Sequence, residues 1–433
     1  MTPRTTRRRF LHETSAAVLA AGVWSAAAPT RAKGPNEKLN IGCIGLANRG
    51  ETNVIGVSGE NIVALCDVDE RYVAERGERH PDAAQFVDFR KLLEHPGLDA
   101  VVVSTPDHTH CHAAMLAMRR GLHVYCEKPL AHSIHEVRRM ARLAKEKKIV
   151  TQTGIQHHRS DGYRRAVAMV REGELGEVRE VHSWTNMPFW PQGIARPAPA
   201  RVPPLLHWDL WLGPAPQRPF ADGYHPMNWR GFWDFGTGAL GDRGPHLIDP
   251  AFEALQLGAP KTIAAESSAV TEESAPEWSI VTFEFPARGA LPPVKLIWYD
   301  GQKQPPREVT GAKGLPPNGT LLVGSRAKLF IPELGGQPIP IVDGKANFPP
   351  PKKTLAAAPD HYAEWIAACK TGGATSCDFA YGTQLTELCL LGNIALRAGR
   401  KLEWDAESLS FPNCPAANRY LRREYRRGWE LDS

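Results

Sequence analysis

A doubly wound parallel α/β sheet, followed by an α+β domain with an open, mostly antiparallel sheet, is what the sequence predicts. Three observations predict it. Short apolar runs alternate with helical stretches over the first third of the chain, the pattern of βαβ units. A glycine-rich turn at Gly45 closes the first of these runs. At 433 residues the chain exceeds what one hydrophobic core serves, and its second half strings strand-like runs together, so a second domain is expected.

The first run, Leu39 to Ile44, reads as a buried parallel strand and leads into Gly45-Leu46-Ala47-Asn48-Arg49-Gly50. This is the Gly-x-Gly-x-x-Gly fingerprint with alanine in the middle. Gly45 permits the tight turn and Gly50 permits close helix–strand packing; the middle residue must let a pyrophosphate approach the backbone, where Ala47 adds one methyl. The next run, Ile62 to Cys66, ends at Asp67, 17 residues after Gly50. That is near the ~20 expected for the acid that hydrogen-bonds an adenosine ribose. A carboxylate there repels a 2′-phosphate, so NAD is expected over NADP; the alternative is an aspartate that caps the turn before Arg71.

A third strand, Ala100 to Ser104, leads into Thr105-Pro106-Asp107-His108-Thr109-His110. Ala113 to Arg119 has helical character, Gly121 stops it, and the strand His123 to Cys126 ends on Glu127-Lys128-Pro129. Ligands gather at the carboxyl ends of strands in such sheets. Cofactor contacts are therefore expected from the turn Gly45 to Gly50 and from Asp67, Thr105, Pro106, His110, Glu127 and Lys128. Gln156, where the chain leaves this domain, is counted with them. Lys128 is delivered where a nucleotide-bound substrate lies, which makes it a catalytic candidate.

In the second half, residues 163 to 172 look helical, and strand-like runs occur at Val178 to Thr185, Thr262 to Ala269, Ser279 to Phe285, Val294 to Tyr299 and Thr320 to Val323. Between Pro188 and Trp233 lies a long segment dense in Trp and Pro, including Trp190, Trp208, Trp211, Trp229 and Trp233. Loops of that length are functional or disordered, and the aromatics argue against disorder. Such rings either pack on a sugar face or anchor the loop to the core. A glycine-rich stretch then delivers Asp242 and His246, four apart and so on one face if the turn is already helical, before an apolar run from Leu247 to Leu257.

The run Ile41 to Gln156, with its glycine turn, the Thr-Pro-x-x-x-His segment ending at His110 and the Glu-Lys-Pro step, resembles the glucose–fructose oxidoreductase, inositol dehydrogenase and rhizopine catabolism (Gfo/Idh/MocA) family. The Asp-x-x-x-His of Asp242 and His246 extends the resemblance into the second half. It implies a Rossmann nucleotide domain over residues 38–155, a substrate domain over 156–433, a carbohydrate substrate, copies paired through the second domain's sheet, and a catalytic trio of Lys128, Asp242 and His246. The chemistry suits those types. Oxidising a secondary alcohol needs a base for the hydroxyl proton, and His titrates near working pH. Lys128 suits the developing alkoxide, and Asp242 suits orienting the imidazole or holding a neighbouring hydroxyl.

Bulk properties exclude other classes. The net charge of +5 gathers largely at Arg4 to Arg9 and Arg422 to Arg427 and forms no nucleic-acid footprint. His108, His110 and His112, or His157 and His158, lack the carboxylate and cysteine company of a metal site, so no metal is expected. Eight scattered cysteines without a Cys-x-x-Cys pair read as free thiols. Thr6-Arg7-Arg8-Arg9-Phe10-Leu11, before an Ala-rich apolar run from Ala16 to Ala28, has the layout of a twin-arginine signal over residues 1–32. The run is too short for a membrane anchor. Export to the periplasm is thus expected, and with it three functional classes: a net dehydrogenase, a redox-neutral enzyme with retained NAD that exchanges, epimerises or hydrolyses sugars, or a non-catalytic sugar-binding protein.

Overall fold

The computed structural model describes residues 34, 37–310, 316–342, 345–346 and 357–431. The expected signal segment lies outside them. The first domain is a six-stranded, wholly parallel sheet: β1 (Asn40–Ile44), β2 (Asn61–Cys66), β3 (Ala84–Phe86), β4 (Ala100–Val103), β5 (His123–Glu127) and β6 (Thr151–Gly154). Its order, β3-β2-β1-β4-β5-β6, is that of two mononucleotide halves meeting between β1 and β4. Strand β3 precedes the run read from sequence as the third strand; at three residues it is too short for an apolar pattern.

The second domain carries a nine-stranded sheet: β7 (Val178–Thr185), β8 (Thr262–Ser267), β9 (Ser279–Phe285), β10 (Val294–Tyr299), β11 (Asn318–Gly324), β12 (Lys328–Pro332), β13 (Ile339–Val342), β14 (Lys345–Ala346) and β15 (Leu402–Glu403). The order is β14-β13-β12-β11-β7-β10-β9-β8-β15, antiparallel except where β7 runs parallel to β10. The helix Phe379–Ala398 packs on β8 and β9, on the helix Ile134–Lys147 and on the helix Gly238–Leu247, which joins the two sheets through one core.

Two boundaries differ from the sequence reading. The helix expected from Ala113 begins at Asp107, directly after Pro106, because Pro is compatible with a helix start and an acidic first residue suits the helix dipole. His108, His110 and His112 therefore project around a helix. Likewise the apolar run from Leu247 to Leu257 does not form one element: a helix begins at Gly238 and ends at Leu247, and a second one, Asp249–Ala254, follows after Ile248.

The helix His361–Thr371 returns from the far end of the chain to the first domain. It places Trp365 and Cys369 in one core with Leu39, Ile41, Val102 and Tyr125. Trp365 is completely buried.

Candidate active site

The glycine turn does what its composition demands. Gly45 has φ of 84°, and a Cβ there would meet Ser104 O at 2.5 Å; a Cβ on Gly50 would meet Gly45 O at 2.2 Å. The strand β1 therefore enters the helix Arg49–Gly56 with no room for side chains at either point. Asp67, just past β2, accepts the Leu46 amide at 2.8 Å on Oδ2 and the Asp69 amide at 3.0 Å on Oδ1. These bonds fix the carboxylate beside the turn while each oxygen keeps a lone pair. Burial pushes its carboxyl up to about 6 against the pull of those amides. The cradle fits a dinucleotide: backbone free to approach a pyrophosphate, and an acid placed for ribose hydroxyls.

A cleft of about 440 Å³ runs from this turn toward the second domain. The turn residues Gly45, Leu46, Ala47, Asn48 and Arg49 line it, as do Asp67, Thr105, Pro106, His110 and Glu127, and so do Lys128, Asp242 and His246. Gly50 and Gln156 do not line it. Gln156 stands behind the wall, donating to Glu127 Oε1 at 2.6 Å and to Tyr125 Oη at 2.9 Å. Glu127 also accepts from Asn53 at 2.9 Å, and Asn53 in turn accepts from the Tyr362 hydroxyl at 2.8 Å. His110 ties two strand ends, with Nδ1 2.8 Å from Pro129 O and Nε2 2.7 Å from Thr105 O; burial lowers its pKa to about 4.

The catalytic candidates meet across the domains. Lys128 Nζ donates to Asp242 Oδ1 at 2.9 Å and to Asp242 O at 2.7 Å, and Arg230 Nε reaches the same carboxylate oxygen at 3.2 Å. Burial works to raise the Asp242 pKa, but the two cations outweigh it and hold the carboxyl well below the usual range. Asp242 and His246 lie on one helix, and Thr320 Oγ1 bonds Leu247 O at 2.6 Å to fix its end. Asp242 is thus the partner of the lysine and of Arg230. The His246 Nδ1 is buried with no hydrogen-bond partner. Burial first, then Lys128 and Arg243, push its pKa well below the usual histidine value, so the imidazole is neutral.

Sequence reasoning missed Asp107, which lines the cleft and accepts from Thr237 Oγ1 at 2.7 Å; burial pushes it up to about 7, with Thr237 and Lys128 opposing. It missed Arg230 as well. The signal available was its place in a tryptophan-rich segment, since its guanidinium lies 4.4 Å over the Trp229 ring and 5.8 Å over Trp190. Of the tryptophans singled out, Trp190, Trp211 and Trp229 line the cleft. Trp208 stacks on Trp211 at 4.7 Å, and Trp233 bonds Thr271 O, both as anchors. Phe189, which also lines the cleft, is 69% exposed. Among the described residues no group of three or more His, Cys, Asp and Glu side chains converges as a metal site.

Comparison with known proteins identifies the family and the fold. Residues 39–155 match the model of an oxidoreductase family with an NAD-binding Rossmann fold, and residues 176–302 match that of the same family's C-terminal alpha/beta domain. The chain is 25% identical over 227 residues to levoglucosan dehydrogenase of Pseudarthrobacter phenanthrenivorans, covering 50% of each chain. With myo-inositol 2-dehydrogenase of Thermotoga maritima it shares 28% over 142 residues, 32% of this chain and 42% of that one. The chain thus spans about half or less of the length of these curated relatives. Solved structures with the same fold include the WlbA dehydrogenase of Bordetella pertussis in complex with NADH and UDP-GlcNAcA (TM-score 0.63, 16% identity, 86% of this chain and 99% of that one). Another is levoglucosan dehydrogenase in complex with NADH and levoglucosan (TM-score 0.61, 17% identity, 85% and 99%). A third is the aldose-aldose oxidoreductase of Caulobacter crescentus (TM-score 0.60, 18% identity, 85% and 100%). The two family models together span more than half of the chain, and the chain belongs to the Gfo/Idh/MocA oxidoreductase family with an NAD-binding Rossmann domain.

Proposed function

We propose that the protein oxidises a secondary hydroxyl of a sugar, polyol or glycoside, preferring NAD to NADP, and that it keeps its cofactor between turnovers. The observation that carries this reading is the meeting of Lys128, Asp242 and His246 in the cleft that the glycine turn also lines. A bound nicotinamide supplies the two-electron acceptor and donor. The chain supplies the rest. Neutral His246 takes the hydroxyl proton, Lys128 Nζ hydrogen-bonds the oxygen as charge develops on it, and Asp242, held by Arg230, aims the ammonium. The carbohydrate class is supported by relatives named for levoglucosan and inositol.

Retention makes the enzyme redox-neutral overall: one sugar is oxidised and another reduced, or a transient oxidation serves epimerisation or glycoside cleavage. The segment 187–230, which lines one side of the cleft, supports this reading. So does the Arg8-Arg9 pair, which points to export of an already folded and loaded protein to the periplasm, where no nucleotide pool exists. Copies pair through the open nine-stranded sheet.

The deciding experiment purifies the protein without added nucleotide, dialyses it and identifies any cofactor released on denaturation. The expected result is stoichiometric NAD or NADH, with turnover that needs no external nucleotide and builds up no NADH. An apo-protein whose steady turnover requires stoichiometric added NAD makes it an ordinary dehydrogenase; a cofactor-free protein that binds sugar without turnover makes it a binding protein.

A further inference from the structure

The order of strands assigns the two ends of the cleft. The half β3-β2-β1 takes the adenosine side of a dinucleotide, and Asp67 marks its ribose. At that end the cleft has two walls. One is Val87 and Phe89, just after β3; the other is Leu210, Trp211 and His225, from the tryptophan-rich segment of the second domain.

The second wall is strapped to the first domain. Leu206 forms a single antiparallel bridge with Asp69, flanked by Glu70 N–H to Leu205 O at 3.0 Å and His207 N–H to Val68 O at 2.8 Å. His225 Nε2 lies 3.1 Å from the fully buried Asp69 carboxylate, and His207 Nε2 lies 2.7 Å from Glu70. These contacts sit directly over the residues that follow Asp67.

The same wall is held from behind by the segment 421–431, which neither family model covers. Arg426 is the fastener. Its Nε donates to Gly213 O at 2.9 Å, its Nη2 to Asp209 O at 2.7 Å, and its Nη1 to Gln217 at 2.7 Å and to the Asp209 carboxylate; its own amide bonds Pro214 O at 3.1 Å. Every one of those partners lies in residues 209–217, around the helix Trp208–Leu212 that presents Leu210 and Trp211 to the cleft. Three residues on, Trp429 packs behind the opposite wall. Its ring centre is 5.9 Å from that of Phe89, the Arg90 guanidinium covers it at 4.4 Å, and its carbonyl accepts from His112 at 2.8 Å. One short segment therefore braces both walls of the adenosine end.

We infer that Arg426 is a positioning residue for cofactor retention: through residues 209–217 it holds the strap over the adenosine end and sets the rate at which the dinucleotide leaves. This rests on the retained-cofactor reading. An open adenosine end lets a dinucleotide peel away from that side, whereas a strap fastened at Asp69 and at Arg426 must undock first.

The test is displacement of NADH from the full-length protein by excess NAD, followed by loss of NADH fluorescence in a stopped-flow instrument. Arg426→Ala loses several charge-assisted bonds at once, so its release rate rises about tenfold or more over the unmutated protein. Arg426→Lys falls between the two. Asp209→Ala removes one partner whose side chain is 74% exposed, which leaves folding undisturbed, and it raises release by about threefold. A merely structural Arg426 lowers the melting temperature and leaves the release rate where it was. Release within twofold of the unmutated rate in folded Arg426→Ala and in Asp209→Ala overturns the inference. If Arg426→Ala does not fold, Asp209→Ala decides alone. Fast release from the unmutated protein overturns the retained-cofactor reading instead, and the ratio of variant to unmutated rates still tests Arg426.

Discussion

Two histidines, His246 in the helix Gly238–Leu247 and His158 packed against the next helix, Asp249–Ala254, have opposite surroundings. His158 is 2% exposed, and its Nδ1 lies 2.9 Å from Oδ2 of Asp249, itself 1% exposed. Tyr381 and Tyr163 bond the same carboxylate, and Tyr163 also donates to Glu253 at 2.7 Å. Burial works to lower the His158 pKa, but the Asp249 and Glu253 carboxylates prevail and raise it. His246, three residues before Asp249, faces cations and has one nitrogen without a partner. Both look alike as a His near an Asp. What separates them is spare bonding capacity: the caged pair has spent its own on holding three helices together, while the His246 ring keeps one nitrogen unspent.

The contrast breaks first at the chemistry. Lys128→Ala and His246→Ala should each lower kcat by ~10²-fold or more, with calorimetry showing NAD affinity close to that of the unmutated protein. Near-normal turnover in His246→Ala would remove that histidine from the mechanism. On the other side of the comparison, Asp249→Ala leaves a buried His158 without its counter-charge, and urea unfolding should show a loss of about 3–5 kcal/mol, with kcat per folded molecule within a few-fold of normal.

The pH dependence sharpens the same contrast. His158 binds its proton more tightly folded than unfolded, so its contribution to stability is complete below the ordinary value of about 6.5 and disappears as pH rises through its raised value. His246 has the opposite sign: the unfolded chain takes the proton first, and stability is lost as pH falls below about 6.5. Unfolding curves of His158→Gln should flatten the alkaline decline and leave the acid side in place. The smallest expected effect is at the ribose acid: Asp67→Ser should narrow the preference for NAD over NADP by about tenfold, and equal binding of the two by the unmutated protein would show that Asp67 does not read the ribose.

Much of this was legible in the chain. Parallel strands buried on both faces leave continuous apolar runs, so β1, β2, β4 and β5 and the residues at their ends stood out, and with them the glycine turn, Asp67 and Lys128. Asp242 and His246 were legible through the resemblance of their Asp-x-x-x-His to the family's pattern, and their spacing added only that a helix would put both on one face. The partners were not. That Lys128 and Arg230 share the Asp242 carboxylate, or that Asp107 hangs from Thr237, depends on how two domains dock, and no local periodicity records it. The partners of Gln156 were hidden for a related reason: its position at a strand exit is readable, but the turn that sends its amide to Glu127 is not.

The helix His361–Thr371 has a consequence for how the protein comes into being. Leu39, Ile41, Val102 and Tyr125 of the first domain share their core with Trp365, more than 200 residues downstream of the last strand of that domain. While the polypeptide is still emerging from the ribosome, residues 38–155 hold the whole nucleotide fingerprint yet present a greasy face with nothing to cover it. Trp365→Ala should cost about 3–5 kcal/mol by chemical denaturation. A nascent chain of this kind cannot finish its first domain before its second, so the two are expected to mature together, in a single late step, with cofactor capture following it.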